Sequence, residues 1–399
     1  MAGIYIHIPF CRRACTYCDF HFSTNLHLKK KLLEILLAEL EQRKAFLPAK
    51  DLKSIYFGGG TPSVLEPLEI RQILEKISNF FSVSTDVEIT LEANPDDLNL
   101  GYLKSIRTEG INRLSIGVQS FEEHRLEAMN RSHNADQALR CIYDAREAGF
   151  ENFSIDLIYG QPDQPKEDWQ RDLAKAIELK VPHLSCYALT IEEKTVLAHQ
   201  VKKGKVHPAG DDVALEHFQL LQKMAADAGY SHYEISNLAL PAKQAVHNSS
   251  YWAGEAYLGL GPSAHSFDGK NQRRWNVANN HLYIKNIEEN KRYFEEEILY
   301  QKDRYNEFIM TGLRLKRGLD IFALGEHYAQ FILKESVRLR EQGQLVLDDT
   351  RLFIPEKYRF QADGIASEIF DNIPGSSVMP IRILANLPSR DNFLFRMPA

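Results

Sequence analysis

Six apolar runs, each leading into a helix-like stretch, set the narrowest limit on how this chain folds. They lie at 3–8 (GIYIHI), 54–57 (SIYF), 87–93 (VEITLEA), 113–118 (RLSIGV), 153–159 (FSIDLIY) and 183–189 (HLSCYAL). Helical periodicity fills the spaces between them, at 27–47, 67–81, 100–110, 135–149 and 166–179. The runs are near-continuous in Ile, Leu, Val and Tyr, as parallel strands covered on both faces are. Repeated βα units predict a parallel sheet, open or barrel-like. Six units fall two short of a closed eight-stranded barrel, so the expected α/β fold is a partial (β/α)6 barrel.

The texture changes further along. The amphipathic stretch 211–230 closes the barrel region, set at 1–230. An extension at 231–300 carries HNSSYW (247–252) and the glycine-rich YLGLGPSAHSF (257–267). From 301 to 370, helical stretches at 304–315 and 329–344 precede a hairpin at 345–355 with Asp348 and Asp349 at its turn. That order predicts a small winged-helix-like α+β domain. Residues 371–399 have weak periodicity and are expected to be poorly ordered.

Bulk properties exclude several classes. The net charge is −6 and the C-terminal region has no basic stripe, so nucleic acid is not an expected partner. No apolar run is long enough to span a membrane. The N-terminal MAGIYIHIPF reads as a strand and not as a signal peptide, which points to the cytoplasm. Five cysteines are too few for a secreted disulfide framework. Cys141 and Cys186 stand alone in apolar surroundings and read as buried small hydrophobes.

In α/β barrels the chemistry gathers beyond the C-terminal strand ends. Here those ends carry FCRRACTYCDF (10–20), GGGTPS (58–63), Glu92, Gln119 and Asp156. Cys11, Cys15 and Cys18 are three soft donors on one short loop, with Phe20 where a fourth cysteine would follow. Such a loop suits an iron–sulfur cluster with one open iron, or zinc if His7 or His21 completes a Cys3His set. Free thiols are the third option.

CxxxCxxC after an N-terminal strand, with an aromatic before the last cysteine, resembles the radical S-adenosylmethionine (SAM) motif. Taken with YIHIPFC, YCDF, FGGGTPS, LEANPDD, RLSIGVQSF, NRSHN, IDLIYGQP, HNSSYW and YLGLGPSAHSF, the chain resembles the HemN/HemW branch of that superfamily over about residues 3–370. The resemblance implies a partial barrel followed by a smaller C-terminal domain. It makes Cys11, Cys15 and Cys18 ligands of a [4Fe-4S] cluster, whose open iron takes the SAM amino and carboxylate groups. It implies SAM contacts for Tyr5, Tyr17, Gly59, Gly60, Thr61, Glu92, Gln119, Arg131 and Asp156. Glycine suits that role because a bare backbone lets a ligand approach closely. A cationic Arg131 suits the SAM carboxylate.

Two functions follow from the resemblance. HemN-type members are oxygen-independent coproporphyrinogen III dehydrogenases; HemW-type members are heme chaperones that deliver heme to acceptor proteins. Three features favour the chaperone: Phe20 in place of the enzymes' extra cysteine, the short lead to Cys11, and the HNxxYW motif. The resemblance assigns heme to that motif, through His247, Asn248, Tyr251 and Trp252, with His265 a second candidate ligand. A third class, radical SAM methyltransferases, shares the barrel. The likeness also suggests a homodimer and peripheral association with a membrane.

Overall fold

A computed structural model of the chain describes residues 2–371. All but the first residue of the tail expected to be poorly ordered lies outside the described residues. Six parallel strands follow one another in chain order: β1 (Ala2–Ile8), β2 (Leu52–Gly59), β3 (Glu88–Ala93), β4 (Arg113–Gln119), β5 (Phe153–Tyr159) and β6 (His183–Ala188). Helices Lys29–Arg43, Pro67–Ser78, Leu100–Thr108, Ala135–Glu147 and Lys166–Glu178 cover the outer face. Each buries an aliphatic stripe, such as Ile70, Ile73 and Ile77 in the second. This is the expected α/β architecture.

The sheet curls but does not close. Inward side chains from distant strands face one another: the Glu92 carboxyl on β3 acts on Tyr5 of β1 and on Tyr187 of β6. Among the described residues β6 does not pair with β1. Short strands occupy the two open edges instead. Beyond β6 lie β7 (Ser231–His232) and β8 (Asn237–Ala239), with β8 antiparallel to β6. Beyond β1 lie β9 (Tyr257–Leu260), parallel to it, then β10 (His265–Phe267), β11 (Gln272–Asn276) and β12 (Phe294–Ile298), all antiparallel. The result is a twelve-stranded sheet. The flanking strands escape sequence reading because they are short and partly charged. Arg274 and Glu296, opposite each other on β11 and β12, form an ion pair of 2.9 Å.

A second apolar core, with Tyr305, Ile309, Leu313, Ile332, Leu339 and Leu352, sits in the C-terminal region. Helix Gln301–Arg314, β13 (Leu319–Asp320), helices Glu326–Glu335 and Val337–Glu341, and the hairpin β14 (Val346–Asp348) and β15 (Arg351–Phe353) build it. This is the winged-helix order expected. The single helix read over 329–344 is interrupted at Ser336, which is fully buried. Asp349 takes the left-handed backbone that the hairpin turn requires (φ 52°).

One buried carboxylate ties the extension to the barrel. Glu39, on the first helix and fully buried, accepts from Arg43 Nη1 (3.2 Å), the Gly261 amide (2.8 Å), Asn276 Nδ2 (2.8 Å) and Tyr283 Oη (2.5 Å). Arg43 reaches on to the Gly259 carbonyl and Ser266 Oγ. A buried charge satisfied on all sides is tolerated; one left alone is not. Glu39→Ala strands Arg43 and is expected to cost about 3–5 kcal/mol, read as a lowered denaturant midpoint.

Candidate cofactor-binding site

The glycine turn after β2 holds the cysteine loop in place. The Gly60 amide donates to the Ile8 carbonyl (2.9 Å) and the Thr61 amide to the Phe10 carbonyl (2.7 Å). Backbone passes so closely here that a Cβ on Gly60 would lie 2.7 Å from Phe10 O and 2.9 Å from Ile8 O. Gly59 adopts φ 108°, and a Cβ there would meet the His7 ring at 2.6 Å. The far side of the loop is held by the 128–131 turn. Thr16 N donates to Met129 O (3.1 Å), Asn130 Nδ2 to Ala14 O (2.7 Å) and Arg13 Nη1 to Arg131 O (2.9 Å).

Within this frame Cys11 is buried, and Cys15 and Cys18 are partly so. Thr61 Oγ1 donates to Cys11 Sγ (3.3 Å) and Arg131 Nη1 to Cys15 Sγ (3.2 Å). Burial pushes the Cys11 thiol up to about 11, against the Thr61 hydrogen bond, and the Cys18 thiol up to about 12. Loading a metal group therefore expels protons from this loop. The alternative Cys3His zinc set is not assembled. His7 is engaged by Tyr5 Oη (3.1 Å) and the His21 carbonyl (3.0 Å), and His21 by Asn280 (2.7 Å). Among the described residues no three His, Cys, Asp or Glu groups could hold a single metal ion. Three soft donors on one loop fit a multi-iron cluster.

Arg131 is buried, yet remains firmly cationic: desolvation opposes its charge, but Tyr17 and the Cys15 thiol outweigh it. Its Nη2 donates to Asn94 Oδ1 and Gly117 O, both at 2.7 Å, and among the described residues its Nε has no hydrogen-bond partner. Gly117 lies under Gln119 and Arg131; a Cβ there would come within 3.0 Å of Gln119 Nε2. Gln119 itself has φ 68°, a left-handed backbone in a non-glycine residue, at the irregularity where the β4–β5 register shifts.

Two inward carboxyls complete the pocket. Glu92 accepts from Tyr56 Oη (2.8 Å) and the Gly59 amide (3.1 Å). Burial raises its pKa to about 8, the Tyr56 bond lowers it, and Asp156 raises it further. Asp156 is raised to about 6, also by burial, with Ser185, Arg113 and Ser115 resisting. The strand-end residues Cys11, Cys15, Cys18, Tyr17, Gly59, Gly60, Thr61, Glu92, Gln119, Arg131 and Asp156 thus gather at one end of the barrel, with Tyr5 on the inner face. Asn94 and Tyr56 are site members that sequence reasoning did not single out. Asn94 lies inside the quoted LEANPDD; Tyr56 points inward from an apolar strand with nothing to mark it.

The HNSSYW segment lies at the other end of the strands. It forms a short helix, Val246–Trp252. Glu88, the first residue of β3, accepts from the Val246 and His247 amides (3.1 and 3.0 Å). The His247 ring is buried, bonded to Ser54 Oγ (2.7 Å) and Tyr251 Oη (2.8 Å), and stacked on Tyr56 (4.9 Å). Burial, then Arg113, lowers its pKa to about 3. Asn248 bonds Tyr233, and Arg314 lies 5.1 Å above the Trp252 ring. A cavity of about 20 Å³ beside it, lined by Arg113, His183, Ser154 and His247, has room for roughly one water. In this conformation both His247 nitrogens are committed, so ligation of heme iron by His247 would require the helix to withdraw.

Two outcomes follow. Gly60→Ala forces the backbone of the cysteine loop away and is expected to lower iron and sulfide per chain after reconstitution, with the far-ultraviolet circular dichroism retained. Glu92 binds a proton in the folded chain that the unfolded chain releases, so it lowers stability progressively from about 4.5 to about 8. Glu92→Gln is therefore expected to stabilise the cofactor-free protein, by an amount that grows across that range in denaturant titrations. Equal effects at both ends would refute the assignment.

Comparison with known proteins agrees with this architecture. Residues 5–176 match the Radical SAM superfamily and residues 299–359 the HemN C-terminal domain. The chain is 34% identical to a protein of Lactococcus lactis named heme chaperone HemW, over 79% of this chain and 82% of that one. It is 34% identical to the Bacillus subtilis protein of the same name, over 83% and 88%. The solved structure of Escherichia coli coproporphyrinogen III oxidase (HemN), a radical SAM enzyme, superposes with a TM-score of 0.80 at 24% identity, covering 93% of this chain and 90% of that one; this likeness shows the fold. The chain belongs to the HemW family of radical SAM proteins.

Proposed function

We propose that the chain is a heme chaperone that holds a [4Fe-4S] cluster and SAM at the C-terminal strand ends and passes heme to acceptor proteins. The observation that carries the cofactor reading is the clamped three-cysteine loop facing Arg131 and the GGGTP turn. The heme reading is supported by the relatives' function. Cys11, Cys15 and Cys18 would hold the cluster. The Gly59–Thr61 backbone would lie along the methionine part of SAM, and Arg131 would pair with its carboxylate. Glu92 and Asp156, drawn toward ionisation by a cationic ligand, would hydrogen-bond the ribose or face the ammonium. Tyr5, Tyr17 and Gln119 would line the pocket. When bound, the cluster supplies an electron for reductive cleavage of SAM. Arg131 at Cys15, and the apolar residues behind the loop, would keep that site charged and dry.

Anaerobically reconstituted protein is expected to bind heme and give it up to an apo-hemoprotein, and to release no carbon dioxide from coproporphyrinogen III with SAM and a reductant. Sustained decarboxylation, or no heme uptake, would overturn the chaperone reading.

A further inference from the structure

Each thiol of the cysteine loop faces a donor: Thr61 Oγ1 at Cys11 Sγ (3.3 Å), Arg131 Nη1 at Cys15 Sγ (3.2 Å) and the Phe20 backbone at Cys18. The first two donors are joined. Arg131 Nη2 donates to Asn94 Oδ1 (2.7 Å), and Asn94 Nδ2 to Thr61 Oγ1 (3.5 Å). We propose that Arg131, Asn94 and Thr61 form a directed hydrogen-bond relay that sets the reduction potential of the cluster, with Asn94 as its positioning residue. The proposal rests on the [4Fe-4S] reading of the three cysteines.

The direction of every bond in the relay follows from its source. A guanidinium only donates. Arg131 therefore holds the oxygen of the Asn94 amide toward itself, which turns the amide nitrogen toward Thr61. Thr61 Oγ1 accepts there, and its single hydrogen is left for Cys11. The Asn94–Thr61 contact is long, so it steers the hydroxyl more than it strengthens it. Backbone holds both partners: Thr61 N donates to Phe10 O (2.7 Å), and Asn94 N to Ser63 Oγ (3.3 Å). Thr61 and Arg131 are both buried, which leaves water little access to replace either bond to sulfur.

A cluster that takes one electron from an external low-potential donor gains negative charge, and part of it falls on the cysteine sulfurs. A hydrogen bond to such a sulfur favours the reduced state and raises the potential. Arg131 thus serves two of the three ligands from one positive charge: Cys15 directly, and Cys11 through two neutral side chains. In a buried chain of this kind each bond polarises the next. The relay makes the cluster easier to reduce and does so before any ligand takes the open iron.

The test is an anaerobic redox titration of the reconstituted full chain without SAM, followed by electron paramagnetic resonance, with iron and sulfide counted for each variant. Thr61→Val keeps the backbone bond to Phe10 and nearly the same shape, and removes only the donor. It is expected to shift the midpoint to a more negative potential with iron content retained, and Thr61→Ser to restore the wild-type value. Asn94→Ala is expected to shift the midpoint the same way by less. The double variant Thr61→Val with Asn94→Ala is expected to fall no lower than Thr61→Val alone, because Asn94 acts through Thr61. An unchanged midpoint in Thr61→Val would overturn the relay, and additive shifts would overturn its route through Thr61. Should Thr61→Val take up no cluster, Asn94→Ala carries the test by itself, and an unchanged midpoint there overturns the relay. Failure of the wild-type chain to take up a cluster would instead overturn the cofactor reading.

Discussion

Two backbone hydrogen bonds, Gly60 to Ile8 and Thr61 to Phe10, fix where everything at the cofactor end can be. They join the ends of two adjacent parallel strands just where the ladder stops. The cysteine loop hangs from one strand and the glycine turn from the other, so the bonds convert sheet register into loop position. No residue with a side chain fits at Gly60 without displacing backbone. Thr61 adds a second tie through its hydroxyl on Cys11. The loop is thereby as rigid as the sheet that carries it, which is what a site built from three donors needs.

The two ends of the barrel solve opposite electrostatic problems. At the cofactor end, Glu92 and Asp156 are both raised by burial, and Asp156 makes Glu92 harder still to ionise. Such a pair waits for positive charge. At the other end, Glu88 meets two helix amides and lies 3.7 Å from Arg113, so its charge is already balanced. Tyr56 spans the distance between them, with its ring against His247 and its hydroxyl on Glu92. The first arrangement is open to a ligand; the second is a finished piece of packing.

Much of this was legible in the residues. The six apolar runs became β1 to β6, and the strand-end residues came together because parallel strands all deliver their C-terminal ends to one side. What stayed hidden depends on tertiary contact. Tyr56 looks like any core aromatic until Glu92 is placed opposite it. The flanking strands are two to five residues long and pair only because the barrel leaves its edges open. HNSSYW forms a helix that Glu88 caps from a strand more than 150 positions earlier. The same contact turned an apparently available imidazole into an enclosed one.

The last strand of the sheet has a further consequence. A long sheet with a bare edge invites strand addition by another copy of itself. β12 reads FEEEI, with three successive glutamates, and β7 at the opposite margin is only two residues long. A second chain approaching β12 would meet its own glutamates, and one approaching β7 would find almost no backbone to pair with. Among the described strands, both margins thus offer little to edge-to-edge growth.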